Sequence, residues 1–417
     1  MSALNRRRFI AAAALATPWF NVAARPAIRL RCFWWGNPDR DKRTRTLLDN
    51  YAKDNDLKIS AESLGWGEYW TKLSTQVAGG NAPDLVQMDY RYMFEYARRG
   101  TLLALDKLLP LPDFNAHDRD GGKVDGKLYA VSLGRNSKAM VYDTGMLQKV
   151  GVKAFAADLN WDDFGRIAGE ISKIKPGKYW GGGDGSRLEQ VFEQWLISGG
   201  KSLYSVDGKA GFSPDDVAAW FDLWDKLRKA DAIPPAQVGA VNTGRVEEYE
   251  LTRGLAATSF INSNQVVAFQ ALNRNPLALA TYPRVKSGSS GQYIKPAMLM
   301  SVSAKSGAPE EAAKLVDYMV TDPAGVKTLG LERGVPCSPA ARTLLLPEVD
   351  ALGKQQIEYV VAVGKEAVPL PPPPPKGAGE IEDLLRRIAD SVAFGKVSVK
   401  DGARQFHTES VAILARA

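Results

Sequence analysis

The chain predicts an α/β fold built on a mostly parallel sheet, and three observations carry that expectation. Short apolar strands alternate with helical periods from Ile28 onward. The length of 417 residues, with 45% apolar and 24% charged residues, is that of a globular protein large enough for two or more domains. Aromatic and polar residues gather where the predicted strands end, which is where open α/β sheets bind ligands.

Taken in order, residues 28–35 read as a strand and 40–55 as a helix with Leu47, Leu48 and Tyr51 on one side. Residues 57–63 alternate as a strand, 69–78 are helical, 84–88 form a short buried strand, and 92–99 are helical up to Gly100. Strands follow at 127–133 and 138–142. Beyond Gly151 the periods at 161–174, 188–198, 215–229 and 245–251 are helical, with a strand at 255–261. A strand at 296–302 and a helix at 310–321 come next. The last third is helical except for Leu370 and the five prolines Pro371 to Pro375, where fixed φ angles impose an extended polyproline backbone. That run reads as a stiff connector between 357–363 and the helix at 381–392, with a recognition segment for a partner as the other reading.

Residues 1–24 have the form of an export signal. Arg6, Arg7 and Arg8 precede an apolar run from Phe9 to Phe20, and Val22-Ala23-Ala24 offers a small-residue cut site. The apolar run is far shorter than the ~20 residues of a membrane-spanning helix. The arginine pair before Phe9 and Ile10 resembles a twin-arginine leader, with an ordinary secretory signal as the alternative. No cysteine lies at the cut site to carry a lipid. Cys32 and Cys337 are the two cysteines; one lies in a strand-like run and the other in a Gly-Pro-rich loop, so two free, part-buried thiols are expected. The net charge of +7, less the three leader arginines, is +4, which requires no nucleic-acid partner.

Catalytic and metal-binding patterns are hard to find. His117 and His407 have no ligand spacing, and there is no H-E-x-x-H, C-x-x-C or G-x-S-x-G. The stretch Gly199-Gly200-Lys201-Ser202 lacks the first glycine of a phosphate loop, because Trp195 stands there. No cofactor and no metal are therefore expected. Carboxylates are plentiful enough for a glycosidase pair, so a glycoside-active enzyme stays open.

What the strand ends do carry is a set of flat rings and directional polar groups: Trp34-Trp35-Gly36-Asn37, Trp66 and Trp70, Asp89-Tyr90-Arg91, Arg135-Asn136, Trp180 to Asp184, and Asn262-Ser263-Asn264-Gln265. A sugar offers apolar C–H faces and a rim of hydroxyls, and needs both kinds of partner. Trp34 and Trp35 alternate, so one faces the core and the other the ligand; Trp195 and Trp224 lie on helices and read as core. Arg91, Arg135 and Lys138 would suit a carboxylate on the ligand, although solvent or neighbouring acids explain them equally well.

The order of several short motifs resembles the periplasmic carbohydrate-binding proteins of ABC importers, the family 1 solute-binding proteins that include the maltose-binding type. The motifs are Ala82-Pro83-Asp84-Leu85-Val86, Tyr96-Ala97 with Gly100-Thr101-Leu102-Leu103, Gly126-Lys127-Leu128-Tyr129, Trp161-Asp162-Asp163-Phe164, Gly254-Leu255-Ala256-Ala257, Thr321-Asp322-Pro323 and Gly334-Val335-Pro336. Trp34-Trp35-Gly36 with Gly65 to Trp70 is similar to a subgroup that takes plant cell-wall oligosaccharides, uronic-acid ones included.

The resemblance implies two α/β lobes with a central cleft and hinge strand crossings: 28–136 plus 283–336, and 137–282 plus 337–417. It implies a monomeric periplasmic receptor that does no chemistry and hands a sugar or oligosaccharide to an inner-membrane ABC permease. A non-sugar solute such as a polyol or polyamine is the alternative within the class. Carried over, the contacts fall on Trp35, Asn37, Trp66, Trp70, Asp89, Tyr90, Arg91 and Asn136, and on Trp180, Asp184, Gln190, Asn262 and Asn264. Asn136 stands where maltose-type members have an acid, and Asn262-Ser263-Asn264-Gln265 where they have a tryptophan, which turns the expectation away from maltose and toward a more basic site.

Overall fold

Alternation in the first strand already divides the first lobe into two packed layers. The computed structural model describes residues 28–36, 38–242 and 245–416. The leader at 1–24 and Asn37 lie outside them. Strand β1 (Arg29–Trp35) sends Leu30, Cys32 and Trp34 to one side and Phe33 and Trp35 to the other. Helix α1 (Pro38–Asp54) covers the first side with Leu47, Leu48 and Tyr51. Strand β2 (Lys58–Leu64) pairs parallel with β1, as does β3 (Leu85–Met88). Helices α2 (Trp66–Ala78) and α3 (Tyr90–Arg98) cover the second side through Tyr69, Leu73, Met93 and Ala97.

After α4 (Ala116–Asp120), the hairpin of β4 (Lys123–Val124) and β5 (Lys127–Leu128) turns through Asp125 and Gly126, both at positive φ, as a tight two-residue hairpin requires. Strand β6 (Val131–Asn136) then runs almost without a break into β7 (Lys138–Asp143).

The second lobe follows: α5 (Thr144–Lys149), α6 (Trp161–Ser172), α7 (Glu189–Ser198), α8 (Pro214–Lys229), the short α9 (Ala236–Gly239), β8 (Thr258–Asn262), α10 (Val266–Leu272) and β9 (Leu277–Ala280). Its antiparallel sheet has the order β8-β7-β9. Strand β10 (Lys295–Val302) returns to the first lobe and pairs antiparallel with both β3 and β6, giving the order β2-β1-β3-β10-β6.

Helices α11 (Pro309–Val320) and α12 (Pro323–Leu329) pack on that first sheet. Helix α13 (Pro339–Leu345) joins α12 through Val326, Ala341 and Leu345. Helix α14 (Ala351–Glu366) lies against the second sheet, with Ile357, Val360 and Val363 on Ala139, Val141 and Ile261. Helices α15 (Ala378–Ala393) and α16 (Val399–Arg416) complete the second lobe's larger core around Trp161, Phe192, Trp220 and Trp224. Among the described residues no helix is long and apolar enough to cross a membrane.

Several expectations need correction. The first sheet is mixed rather than mostly parallel, because β10 and β6 belong to crossings between the lobes and pair antiparallel. The predicted strand at 127–133 is two strands, broken at Tyr129 and Ala130, whose N–H groups both turn back to the Gly122 carbonyl. The predicted helix at 245–251 shrinks to one 3-10 turn, Val246–Glu248, and strand β9 has no counterpart among the predicted elements. Both cysteines are free and buried in the first lobe's core, deeper than expected.

Candidate ligand-binding cleft

The first lobe's wall is assembled from three strand ends. Trp35 closes β1, Trp66 opens α2 directly after β2, and Asp89 follows β3. The i, i+4 spacing on α2 puts Trp66 and Trp70 side by side, with ring centroids 5.4 Å apart. Trp35 meets Trp66 at 5.0 Å and Trp70 at 5.4 Å, and Tyr92 of α3 lies 4.1 Å from Trp70 at a 32° tilt. Trp35 is buried and Trp70 half-buried, whereas Trp66 is 45% exposed. The cluster thus holds one large aromatic ring rigidly at the surface. Of the pair Trp34 and Trp35, Trp34 is the core residue.

Asp89 is occupied by the backbone, since its carboxylate caps α3 by accepting the Arg91 N–H at 2.9 Å. Arg91 is exposed and forms no ion pair among the described residues; its charge reaches Tyr204 of the second lobe. The Tyr90 hydroxyl donates across the gap between lobes to the Pro371 carbonyl, at 3.3 Å. Burial pushes the Tyr90 phenol up to about 12.

The floor is the first crossing. Asn136 is buried with its Oδ1 unbonded; Gly334 lies beside it at a φ of +97°, where a side chain would run into that oxygen. The Ser137 hydroxyl donates to the Tyr293 carbonyl at 2.9 Å. Lys138 is only 7% exposed. Its Nζ donates to Gln190 Oε1 at 3.3 Å, and Gln190 Nε2 donates to the Phe260 carbonyl at 3.3 Å. Burial, aided by Lys295, lowers the Lys138 ammonium to about 8, against the opposing pull of Glu193, Glu189 and Glu382. Arg135 is corrected as a ligand group. It is buried in an ion pair with Asp118 at 3.2 Å and points into the first lobe's packing.

The second lobe's wall is α7 with its neighbours. The Tyr204 hydroxyl donates to Glu189 at 3.1 Å, and the Tyr293 hydroxyl to Glu193 at 2.5 Å. Burial first, then Glu193 and Glu382, raise the Glu189 carboxyl to about 7. Asn262 ends β8 opposite Lys138, and its N–H donates to Gln265 Oε1 at 2.8 Å; Asn264 follows in the same turn, half-buried.

Two expected residues are not brought to this wall. Trp180 pairs with Ala256, at the opposite end of that chain segment from Asn262, and its indole N–H donates to Asp231 at 2.8 Å. Asp184 has a side-chain exposure of 3% and is held by Arg228 at 2.6 Å. The walls also contain Tyr92, which ends the strand-end run Asp89-Tyr90-Arg91-Tyr92, and Glu189, Glu193, Tyr204 and Tyr293, which the sequence does not single out. The i, i+4 pair of glutamates on α7 is a signal visible in the sequence; the tyrosines at 204 and 293, far away along the chain, are not. Among the described residues no cluster of His, Cys, Asp or Glu could hold a metal ion.

Known proteins share this fold. Residues 46–352 match the family of bacterial extracellular solute-binding proteins. A family 1 extracellular solute-binding protein from Alicyclobacillus acidocaldarius is 31% identical, with a TM-score of 0.82 over 94% of this chain and 99% of that one. A periplasmic oligogalacturonide-binding protein from Yersinia enterocolitica, solved with saturated digalacturonic acid, has 21% identity and a TM-score of 0.76 over 93% and 99% of the two chains. A multiple sugar-binding protein from Streptococcus mutans is 22% identical over 300 residues, 68% of this chain and 69% of that relative. The chain spans about two thirds of the length of the curated relatives it matches.

Proposed function

Because the chain belongs to the bacterial extracellular solute-binding protein family, we propose that it is the sugar receptor of an ABC importer. In this reading it is exported by the leader at 1–24, works as a periplasmic monomer, and performs no chemistry. Its two lobes close round one sugar or oligosaccharide, and the closed form docks on an inner-membrane permease.

The observation that carries the sugar reading is the half-exposed Trp66, braced by Trp35, Trp70 and Tyr92 at the strand ends. A pyranose can stack on that ring while Asn136, Gln190 and Asn264 meet its hydroxyls. The relatives named for sugars support the class of solute. The test is a thermal-shift and calorimetry screen with neutral and acidic saccharides, a polyol arm and a polyamine arm. A cognate sugar at 100 times its Kd stabilises the protein by about 2.7 kcal/mol. A response confined to the polyol or polyamine arm overturns the sugar reading, and an oligosaccharide recovered cleaved rather than intact overturns the receptor reading.

A second reading, an acidic sugar, draws support from Arg91, a cation at the cleft rim without an ion-pair partner among the described residues. Its planar fork suits a carboxylate. If an acid is bound there, affinity falls with added salt and Arg91→Ala weakens the acid more than its neutral counterpart; insensitivity to both retires it.

A further inference from the structure

The proline segment is more than a connector between helices. It follows α14 from Val368, whose N–H donates to the Gln292 carbonyl at 2.8 Å, and runs along the second lobe toward Tyr90. At Pro371 it meets Tyr90 of the first lobe. Beneath it lies a cavity of about 250 Å³ walled by Glu193, Ile197, Leu203 and Tyr204 from the second lobe and by Leu370 and Pro371 from the segment. Glu193 also touches Tyr293 beside the crossing, so the cavity adjoins the floor of the cleft. Its volume falls below the ~300 Å³ at which drug-sized pockets begin, which suits one ring rather than several.

The chemistry of the walls is lopsided. The Tyr204 hydroxyl is already given to Glu189 and the Tyr293 hydroxyl to Glu193. The Lys201 ammonium at the edge is paired with Asp216. Consecutive prolines have no N–H to offer, but each keeps a carbonyl. Ser202 and the Lys201 protons not given to Asp216 can still donate, but acceptors predominate among the groups left for a guest: the spare lone pairs of Glu193 and the proline carbonyls. Ile197, Leu203, Leu370 and the pyrrolidine rings supply apolar contact.

We propose that this cavity is a second ring subsite, taking a neutral, hydroxyl-rich pyranose or furanose, so that the physiological ligand is at least a disaccharide with a neutral unit at this end. It rests on the sugar reading above. A neutral ring brings hydroxyl donors to walls on which acceptors predominate, whereas a uronate would set its charge against Glu193.

The test is calorimetry on the full mature chain with matched series: glucose, maltose and maltotriose; xylose, xylobiose and xylotriose; galacturonate, its dimer and its trimer. At least one oligomer with a neutral unit binds tenfold or more tighter than its monomer. Ile197→Trp, which fills the cavity, removes that advantage and leaves monomer affinity within twofold; Leu370→Trp fills it from the opposite wall. A monomer that binds as tightly as its oligomers, or an advantage that survives in folded tryptophan variants, overturns the subsite and leaves the sugar reading standing. An advantage seen in the galacturonate series alone overturns the neutral assignment. Silence from every saccharide overturns the sugar reading itself, and the subsite with it.

Discussion

Asn136 and Lys138 stand one residue apart, yet Asn136 pairs with Lys295 in the first sheet and Lys138 with Asn262 in the second. Ser137 alone separates the two ladders. In the closure proposed above, a backbone rotation there would swing one sheet against the other with both ladders kept. The same residues floor the cleft, so the proposed closure and the proposed ligand contact share one point of the chain.

The rings of the first lobe give unequal outcomes on truncation. Trp66→Ala removes the exposed face and lowers sugar affinity by about 2–4 kcal/mol, in the range of aromatic hot spots, with little change in melting temperature. Trp70→Ala removes a packed ring from among Trp35, Tyr69 and Tyr92 and lowers melting temperature as well. Calorimetry and thermal melting on both variants distinguish the two effects.

Tyr90→Phe deletes one hydrogen bond between the lobes. A net worth of roughly 0.5–1.5 kcal/mol corresponds to a 2- to 12-fold fall in the closed-to-open ratio. Distances between spin labels on exposed Lys72 and Lys209 sites, in the first and second lobes, report that ratio without any sugar present. An unchanged distribution means that the Pro371 contact does not help hold the lobes.

Arg135→Ala breaks the buried ion pair with Asp118 and destabilises the fold by about 3–5 kcal/mol. The affinity of the protein that remains folded is unchanged, because Arg135 serves the lobe and not the ligand. Denaturant unfolding together with calorimetry checks both halves.

Glu189 predicts a pH dependence. Its folded carboxyl sits near 7, above its ordinary value of 4.5, so the folded state holds the proton more tightly than the unfolded chain. The resulting stability is full below about 4.5 and is lost as pH rises through 7. Glu193, Glu382, Lys138 and Tyr204 surround it and set the shift. Glu250, also raised to about 7, acts in the same direction. Glu189→Gln keeps a partner for Tyr204 and flattens the fall in stability between pH 4.5 and 7, by on the order of 1–3 kcal/mol. Melting curves across that range show whether the slope changes.

The alternation of β1 and the helical periods make most elements legible in the sequence, because those signals are local. The aromatic wall is legible too: Trp66 and Trp70 announce themselves by spacing. The second wall is not, because it depends on Tyr204 and Tyr293 arriving at α7 from distant loops. Charge misleads for the same reason. Arg135 and Asp184 look available in the sequence, and only folding brings Asp118 and Arg228 against them. Sheet direction reads as parallel because the strand-helix alternation is real; the return of β10 from the other lobe leaves no local mark.

Cys32 and Cys337 lie buried in the first lobe's core, and burial pushes the Cys32 thiol up to about 12 and Cys337 upward as well. At neutral pH neither offers appreciable thiolate to a reagent. A single cysteine introduced at the cleft rim can therefore be tagged with a maleimide dye in the otherwise native chain. The protein is ready-made for an optical biosensor that reports the binding of its solute.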